Sequence, residues 1–255
     1  MDKRLLAVVV LATVSAGLTG CATSTVDGPF SLAARGPVEV NVVSFNGDVT
    51  VVADPMLPWA TIRFKREGTH GYGRNEEAKS SLDNIKFTAR IIEGEHGPVM
   101  EVRTWTTDAE PWFQRAHVDI RLPAVDGLTI RTSNGMIEAV NIQGKVDIEC
   151  SDGDVRVMTN LPMLQPVTIH NNAGDIDYRV RGESTGEFKC YAENGSVDGR
   201  IRQGRFIVHV GTAHDTLLAS FNDGTNPITL TTLSGDIRIA VVHNPTDVGT
   251  VIVTP

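Results

Sequence analysis

Apolar and polar residues alternate along most of the chain, in short runs separated by polar turns that contain glycine. A period of two is typical of β-strands with one buried and one solvent-facing side. The apolar positions keep a constant offset from each turn glycine. This is seen seven and five places before it, at Val40 and Val42, Leu128 and Ile130, Val146 and Ile148, Val167 and Ile169, Phe188 and Cys190, and Ile228 and Leu230. The pattern predicts an all-β fold built from repeats.

The turns recur at a regular spacing and read SFNGDVTVV, TSNGMIEAV, CSDGDVRVM, NNAGDIDYRV, AENGSVDGRI and TLSGDIRIAV. From the second turn onward the glycines are 18, 21, 21 and 40 residues apart, and the long gap is filled if His214 takes the glycine place and Asp215 the next one. A period near 20 with two strands predicts a single-domain β-solenoid whose coils stack in chain order. The alternative is a β-sandwich in which each turn closes a hairpin, because Asn-Gly and Asp-Gly also favour hairpins.

Residues 54–117 interrupt the repeat. Asn75, Glu76 and Glu77 are typical of a helix start, and two alternating runs around Gly94 and Gly97 favour a hairpin. We interpret this stretch as an insertion or a cap at the N-terminal end of the stack, since a solenoid needs its terminal coils covered. The solenoid domain is therefore expected to span residues 38–255.

The chain begins with a basic pair, Lys3 and Arg4, followed by an apolar run that ends in small residues and a cysteine. This run is too short to span a bilayer and is typical of a secretory signal peptide, here residues 1–20. The tetrad Leu18-Thr19-Gly20-Cys21 resembles the bacterial lipobox, which implies that Cys21 carries diacylglycerol and palmitate-type acyl chains and that residues 21–37 form a tether. Ala22 is not Asp, which by the same resemblance favours the outer membrane, with the periplasmic or surface face left open.

Removal of residues 1–20 takes away Asp2, Lys3 and Arg4 and leaves 21 basic against 30 acidic residues, a net charge of −9. A chain this acidic repels nucleic acid. The sequence therefore predicts a membrane-anchored protein with no nucleic-acid partner.

Aspartate follows the turn glycine in several repeats, and Asp154, Asp175 and Asp236 would approach one another along one edge of a solenoid. Carboxylates stacked in this way are a candidate calcium site, because Ca²⁺ prefers oxygen ligands. The interpretation we favour is that each Asp accepts a hydrogen bond from its own turn backbone. Apart from this candidate, the sequence predicts no metal and no cofactor.

Cys150 and Cys190 lie at different offsets from their glycines and two coils apart in chain order. Their Cα atoms are then expected ~10 Å apart, beyond the ~7 Å limit for a disulfide. We predict two buried free thiols, in positions that other coils fill with Thr, Ala, Ile or Leu.

No other residue type indicates a reaction. The histidines show no metal-ligand spacing; they are His70, His96, His117, His170, His209, His214 and His243. No nucleophile elbow or phosphate-binding loop is present in the sequence. For Trp59, Trp105 and Trp112, packing in the core or a cap is favoured over a sugar-stacking platform. We predict no catalytic residues and a protein that is not an enzyme.

The segment HVDIRLPAVDGLTIRTSNGMIEAVNIQGKVDIECSDGDVRV and the earlier VEVNVVSFNGDVTVV resemble the "putative adhesin" family of bacterial envelope proteins, relatives of the head-GIN adhesins. The resemblance covers most of the chain from about Val38. It implies a right-handed β-solenoid-like fold in a surface or periplasmic protein. His214 in a glycine place and the interruption at 54–117 depart from it.

The function predicted from these observations is a structural or adhesive module that offers its faces to a protein or glycan on another surface. An accessory or sensor protein in envelope stress signalling is the main alternative. A polysaccharide-active β-helix enzyme is less favoured, because its paired carboxylates would need a groove walled by long loops, and the turns here are short. Ligand and oligomeric state are not indicated by the sequence.

Overall fold

The computed structural model describes residues 22–34, 36–70, 73–109 and 111–247. Within these residues the chain forms a nine-stranded and a ten-stranded sheet, with one short helix, α1 (Asn75–Ser81), and 3₁₀ turns at Leu82–Asn84 and Pro111–Phe113. The apolar residues of the alternating pattern face inward between the sheets and form one continuous core. The predicted all-β class is confirmed.

Seven strands belong to the first half of the chain. They are β1 (Ala22–Leu32), β2 (Pro37–Ser44), β3 (Val49–Ala53), β4 (Ala60–Thr69), β5 (Ile85–Gly94), β6 (Gly97–Thr106) and β7 (Gln114–Leu122). Twelve more follow. They are β8 (Ala124–Asn134), β9 (Ile137–Val140), β10 (Gln143–Asp152), β11 (Val155–Met158), β12 (Val167–Ala173), β13 (Ile176–Val180), β14 (Gly186–Asn194), β15 (Val197–Ile201), β16 (Phe206–Val208), β17 (Thr216–Phe221), β18 (Pro227–Ser234) and β19 (Ile237–Val241).

The two strands of each repeat lie in different sheets, and the glycine turn joins them. Strand β8 pairs in parallel with β2 and β10, whereas β9, which follows it after the turn, pairs with β3 and β11. In the resulting register, Ile148 lies between Ile130 and Ile169, and all three are fully buried. The predicted β-solenoid-like stack is therefore confirmed. The alternative of a hairpin at each repeat turn is wrong, because at the repeat turns of the described residues the two flanking strands lie in different sheets.

The coils do not all stack in chain order. The ten-stranded sheet runs β16-β17-β14-β18-β12-β10-β8-β2-β6-β5, and the nine-stranded sheet runs β1-β4-β7-β3-β9-β11-β13-β19-β15. The last coil in sequence, β18–β19, is thus inserted between β12–β13 and β14–β15. The prediction of a further coil around His214 and Asp215 is also wrong, because β16 and β17 form an antiparallel hairpin there.

The N-terminal end of the stack is built from the interruption and from β1. The predicted hairpin is present as β5 and β6, and the predicted helix as α1. Strands β6 and β7 add parallel neighbours to β2 and β3, while β4 and then β1 continue the nine-stranded sheet in antiparallel fashion. Residues 22–32, expected to be a tether, therefore form an edge strand. The boundaries 38–255 and 54–117 stay predictions.

Glycine is required in the turns by the close approach of one coil to the next. At Gly153, φ is +138°, and a Cβ atom would lie 2.3 Å from the carbonyl oxygen of Gly135. Only glycine combines this left-handed backbone with so short a contact. The turn glycines consequently stack as a column along one edge of the protein.

Candidate functional site: the turn column and the outer sheet face

The turn aspartates bind the backbone of the neighbouring coil. Oδ1 of Asp154 accepts a hydrogen bond from the N–H of Asp175 at 2.9 Å, and Oδ1 of Asp175 accepts one from the N–H of Asp236 at 2.8 Å. Asp236 in turn accepts one from the N–H of Ser196 at 2.9 Å. The prediction was right that each Asp accepts a backbone hydrogen bond, but wrong that the donor lies in the same turn. The donors lie in the neighbouring coil, so the side chains form a ladder that links coil to coil.

The carboxylate oxygens of this ladder, which a calcium ion would need as ligands, also contact an arginine. Arg238 Nη2 lies 3.0 Å from Asp175 Oδ2 and 3.5 Å from Asp236 Oδ2. The hydrogen bonds from Ser196 hold the pKa of Asp236 below its usual value. Across residues 22–34, 36–70, 73–109 and 111–247, no group of three or more His, Cys, Asp or Glu side chains is placed to hold a metal. The candidate set Asp154, Asp175 and Asp236 is thus arranged as a structural ladder.

Two neighbouring coils also share hydrogen bonds inside their turns, from the side chain three residues before the glycine. Asn171 is buried, and its Nδ2 donates to the carbonyl oxygens of Gly153 and Gly174 at 2.8 and 3.1 Å. Thr232 occupies the same place in the next coil of the stack and donates to Gly174 at 3.0 Å. These side chains donate hydrogen bonds to the turn carbonyls, which need donors where the backbone is packed.

The two described cysteines are free and buried, as predicted. Cys150 aligns with Asn171 and Thr132, whereas Cys190 aligns with Leu230. The inverted coil order places their strands, β10 and β14, three steps apart in the sheet, one more than chain order implies. Burial raises the pKa of the Cys190 thiol to about 12, which disfavours the reactive thiolate form at neutral pH.

A cluster that the sequence did not indicate joins the N-terminal end to the first turn. His117 Nδ1 lies 3.0 Å from Asp48 Oδ2, and His117 Nε2 lies 3.9 Å from Glu67 Oε2. The hydrogen bond with His117 holds the pKa of Asp48 below its ordinary value, against the opposing effect of burial. These residues come from separate segments of the chain, so no spacing pattern could have revealed them. Their contacts secure β4 and β7 to the repeat.

The three tryptophans are exposed, which corrects the expectation of core or cap packing. The exposed fractions are 51% for Trp59, 42% for Trp105 and 73% for Trp112. Trp59 precedes β4, Trp105 lies on β6 and Trp112 lies in the 3₁₀ turn before β7. The sequence-based alternative of a single stacking platform would require all three rings to share one surface, and they lie on three different elements.

The outer face of the ten-stranded sheet carries rows of side chains that the strand register aligns. One row runs across five strands and is formed by Arg131, Glu149, His170, Thr231 and Tyr191. Glu149, His170 and Tyr191 are exposed, and Arg131 Nε lies 3.0 Å from Glu149 Oε2. The signal for this row is in the sequence, because its members alternate with the buried positions at a common offset from glycine.

The predicted signal peptide and Cys21 lie outside the described residues, so the anchor stays a prediction. In the part of the chain that the structure describes, no helix has the length and apolarity to cross a bilayer.

Comparison with known proteins supports the family resemblance. The chain is similar in structure to a "putative cell adhesion protein" from Clostridium sporogenes ATCC 15579, with a TM-score of 0.55 and 11% identity over 87% of this chain and 100% of that one. A "putative adhesin" from Bacteroides fragilis NCTC 9343 matches at a TM-score of 0.31 and 11% identity, over 89% and 100% of the two chains. No curated protein matches the chain. The first likeness shows a shared fold, and residues 117–240, from β7 to β19, match the Toastrack DUF4097 family.

Proposed function

We propose that this protein is a non-enzymatic lipoprotein of the bacterial envelope. Acyl chains on Cys21 attach it to the outer membrane, and the β-solenoid-like stack acts as a structural or adhesive module that binds a protein or glycan on another surface. The observation that carries the proposal is the outer face of the ten-stranded sheet, where solvent-facing side chains are held in rows by the strand register.

This face has the composition of a binding surface. Arg131 is fixed by Asp147 and Glu149, each at 3.0 Å. Exposed aromatic rings flank it, with Trp105 on β6 and Tyr191 on β14, six strand steps or about 29 Å apart. Arginine and aromatic residues are enriched in protein interfaces because they combine large contact area with hydrogen bonding. A rigid sheet presents them with little loss of entropy on binding.

The non-enzymatic part of the proposal is supported by the state of the carboxylates. A polysaccharide-cleaving enzyme needs a pair of acidic groups free to exchange protons over a groove. The turn aspartates instead accept backbone hydrogen bonds from the next coil. The structurally similar "putative cell adhesion protein" from Clostridium sporogenes is consistent with a binding role.

The anchor is tested by labelling cells with palmitate and separating membrane from soluble fractions. The wild-type chain is expected to take up label and to sediment with the outer membrane, and Cys21→Ser is expected to lose both properties. An unlabelled wild-type chain would contradict the anchor.

Binding is tested with the full chain on purified envelope glycans and on intact envelopes. Tyr191→Ala and Arg131→Ala are expected to weaken binding about tenfold or more, the range for interface hot spots. Arg200→Ala, an exposed change on the opposite sheet, is the matched control and should bind like wild type. Equal loss in all three variants, or cleavage of any polysaccharide in the panel, would overturn the proposal.

A further inference from the structure

Strand β1 starts at Ala22, the residue after Cys21, and it is paired with β4 from its first residue. Ala22 lies opposite Thr69, and the pairing continues to Leu32 opposite Ala60. An anchored Cys21 is therefore separated from the folded sheet by a single peptide link, about 3.8 Å between Cα atoms. With no slack between anchor and fold, the N-terminal end of the stack must lie at the membrane surface.

Strand β1 itself is nearly free of charge, and the charged residues beside it, such as the exposed Glu76 and Glu77, belong to helix α1. Among the eleven residues of β1, only Asp27 is charged, and its carboxylate is paired with Arg66 at 2.7 Å to Nε and 3.1 Å to Nη2. At the other edge of the same sheet, the five-residue strand β15 carries Asp198 and Arg200, both exposed. Edge strands in water are normally protected by such charges, so β15 has the features of an aqueous edge and β1 does not.

Apolar side chains are exposed at the same end. Val26 and Phe30 of β1 are 56% and 42% exposed, and Met56 and Trp59, in the loop that leads into β4, are 87% and 51% exposed. Trp59 adjoins Ala60, the partner of Leu32, so the set extends along β1 to the end away from Cys21, about 33 Å from it. We call Val26, Phe30, Met56 and Trp59 the anchor-end surface.

We propose that the anchor-end surface rests on the lipid headgroups of the membrane that holds Cys21, so that the stack stands on its N-terminal end. This inference rests on the proposed anchor. The headgroup region is polar enough to hydrate the free backbone groups of β1, while tryptophan and other apolar side chains are stabilised at the boundary with the acyl chains. The turn column, with its carboxylates, then rises away from the bilayer, and β15 lies at the far end.

The test uses the lipidated full chain in vesicles of phosphatidylethanolamine and phosphatidylglycerol that contain lipids brominated near the headgroup, which quench tryptophan fluorescence. In a variant with Trp105→Phe and Trp112→Phe, Trp59 is the remaining tryptophan, and its emission is expected to shift to the blue and to be quenched. The matched probe adds Trp59→Phe and Tyr191→Trp, which moves the tryptophan to β14, and it should be unaffected by the brominated lipid. A further Val26→Asp change should reduce the quenching of Trp59 while the acyl anchor holds.

Unquenched Trp59 in a chain that takes up palmitate would overturn this inference and leave the anchor standing. Equal quenching of the probe at position 191 would also overturn it, because the stack would then lie flat. Absence of palmitate label would instead count against the proposed function, so the two failures are distinguishable.

Discussion

Two groups of coils share one turn pattern and differ in how the chain connects them. From β8 to β13, the coils follow one another in the stack as they do in the sequence. The coil β18–β19, by contrast, is later in the sequence than β14–β15 but lies between it and β12–β13 in the stack. The register is equally regular in both groups, with Val155 opposite Ile176 in the first and Val197 opposite Ile237 in the second. The alternation of apolar and polar residues therefore determines which residues face each other, and it does not determine which coils are neighbours.

The order is decided by the hairpin that separates the last two coils in sequence. Strand β17 pairs antiparallel with β14, and Leu217 lies opposite Cys190. Because this occupies the outer edge of β14, the following strand β18 can pair with β14 only on the inner side. Phe206 of β16 then packs against Phe188 and Phe221, which covers the end of the core.

The coil order can be tested by paired cysteines on the outer sheet face, where an all-or-none result is expected. The pair His170→Cys and Thr231→Cys lies on adjacent strands, with Cα atoms ~4.8 Å apart. The pair His170→Cys and Tyr191→Cys lies two strands apart, with Cα atoms about 10 Å apart. Oxidation should link the first pair and leave the second open, because a disulfide requires Cα atoms within ~7 Å. Mass spectrometry of the oxidised chain reads the outcome. Linkage of positions 170 and 191 would restore stacking in chain order.

A glycine substitution should have a much larger effect at a turn glycine that contacts the neighbouring coil than at a strand glycine whose surroundings are open. In Gly153→Ala, the new Cβ meets the Gly135 carbonyl oxygen at 2.3 Å in a backbone conformation with φ of +138°. Strain and overpacking together are expected to cost about 3 kcal/mol or more of unfolding free energy. Gly199→Ala, where a Cβ meets nothing within 4 Å, should change it by less than about 0.5 kcal/mol. Denaturant unfolding of both variants measures the difference, and equal costs would contradict the close stacking of turn backbones.

Much of the fold could be predicted because it depends on local pattern. The buried positions, the glycine turns, α1 and the hairpin of β5 and β6 all follow from the periods of short segments. The inverted order could not be predicted, because the same alternating pattern fits either order of the coils and the observed order depends on the pairing of β17 with β14. Strand β1 was missed for a related reason, since its small polar residues resemble a linker until β4 is available to pair with it.

The candidate site was predictable to a smaller degree. The turn aspartates were identified from their place after glycine, but their partners were not, since those partners lie one coil away and depend on the stack. The Asp48 and His117 pair joins residues 69 positions apart, and no local pattern connects them. Long-range polar contacts of this kind become visible only when the register of the sheets is known.

The smallest expected effect concerns the hydrogen bonds that join the inverted coils. Asp236 accepts from Ser196, and these bonds hold its pKa below the usual value. A carboxylate whose pKa is lower in the folded chain stabilises the fold above its unfolded pKa of about 3.9, and this contribution is lost as the pH falls through the folded value. Asp236→Asn retains an acceptor oxygen and removes the charge. It should therefore lower the unfolding free energy at pH 7 by no more than about 1 kcal/mol, because the group is largely solvated.

The difference in unfolding free energy between Asp236→Asn and wild type should shrink below pH 4, where the wild-type carboxylate becomes protonated and loses its charge. Thermal unfolding between pH 3 and pH 7 measures it, with Asp152→Asn as the control, since Asp152 serves the neighbouring turn through its backbone carbonyl. Asp154→Asn, at the equivalent bond between coils in chain order, should lower the unfolding free energy at pH 7 by a similar amount, because the two N–H to carboxylate distances agree at 2.9 Å. If Asp236→Asn lowers the unfolding free energy equally at every pH, the side chain acts through packing. If Asp236→Asn causes a large loss of unfolding free energy and Asp154→Asn causes none, the inverted coils depend on this hydrogen bond more than their common geometry implies.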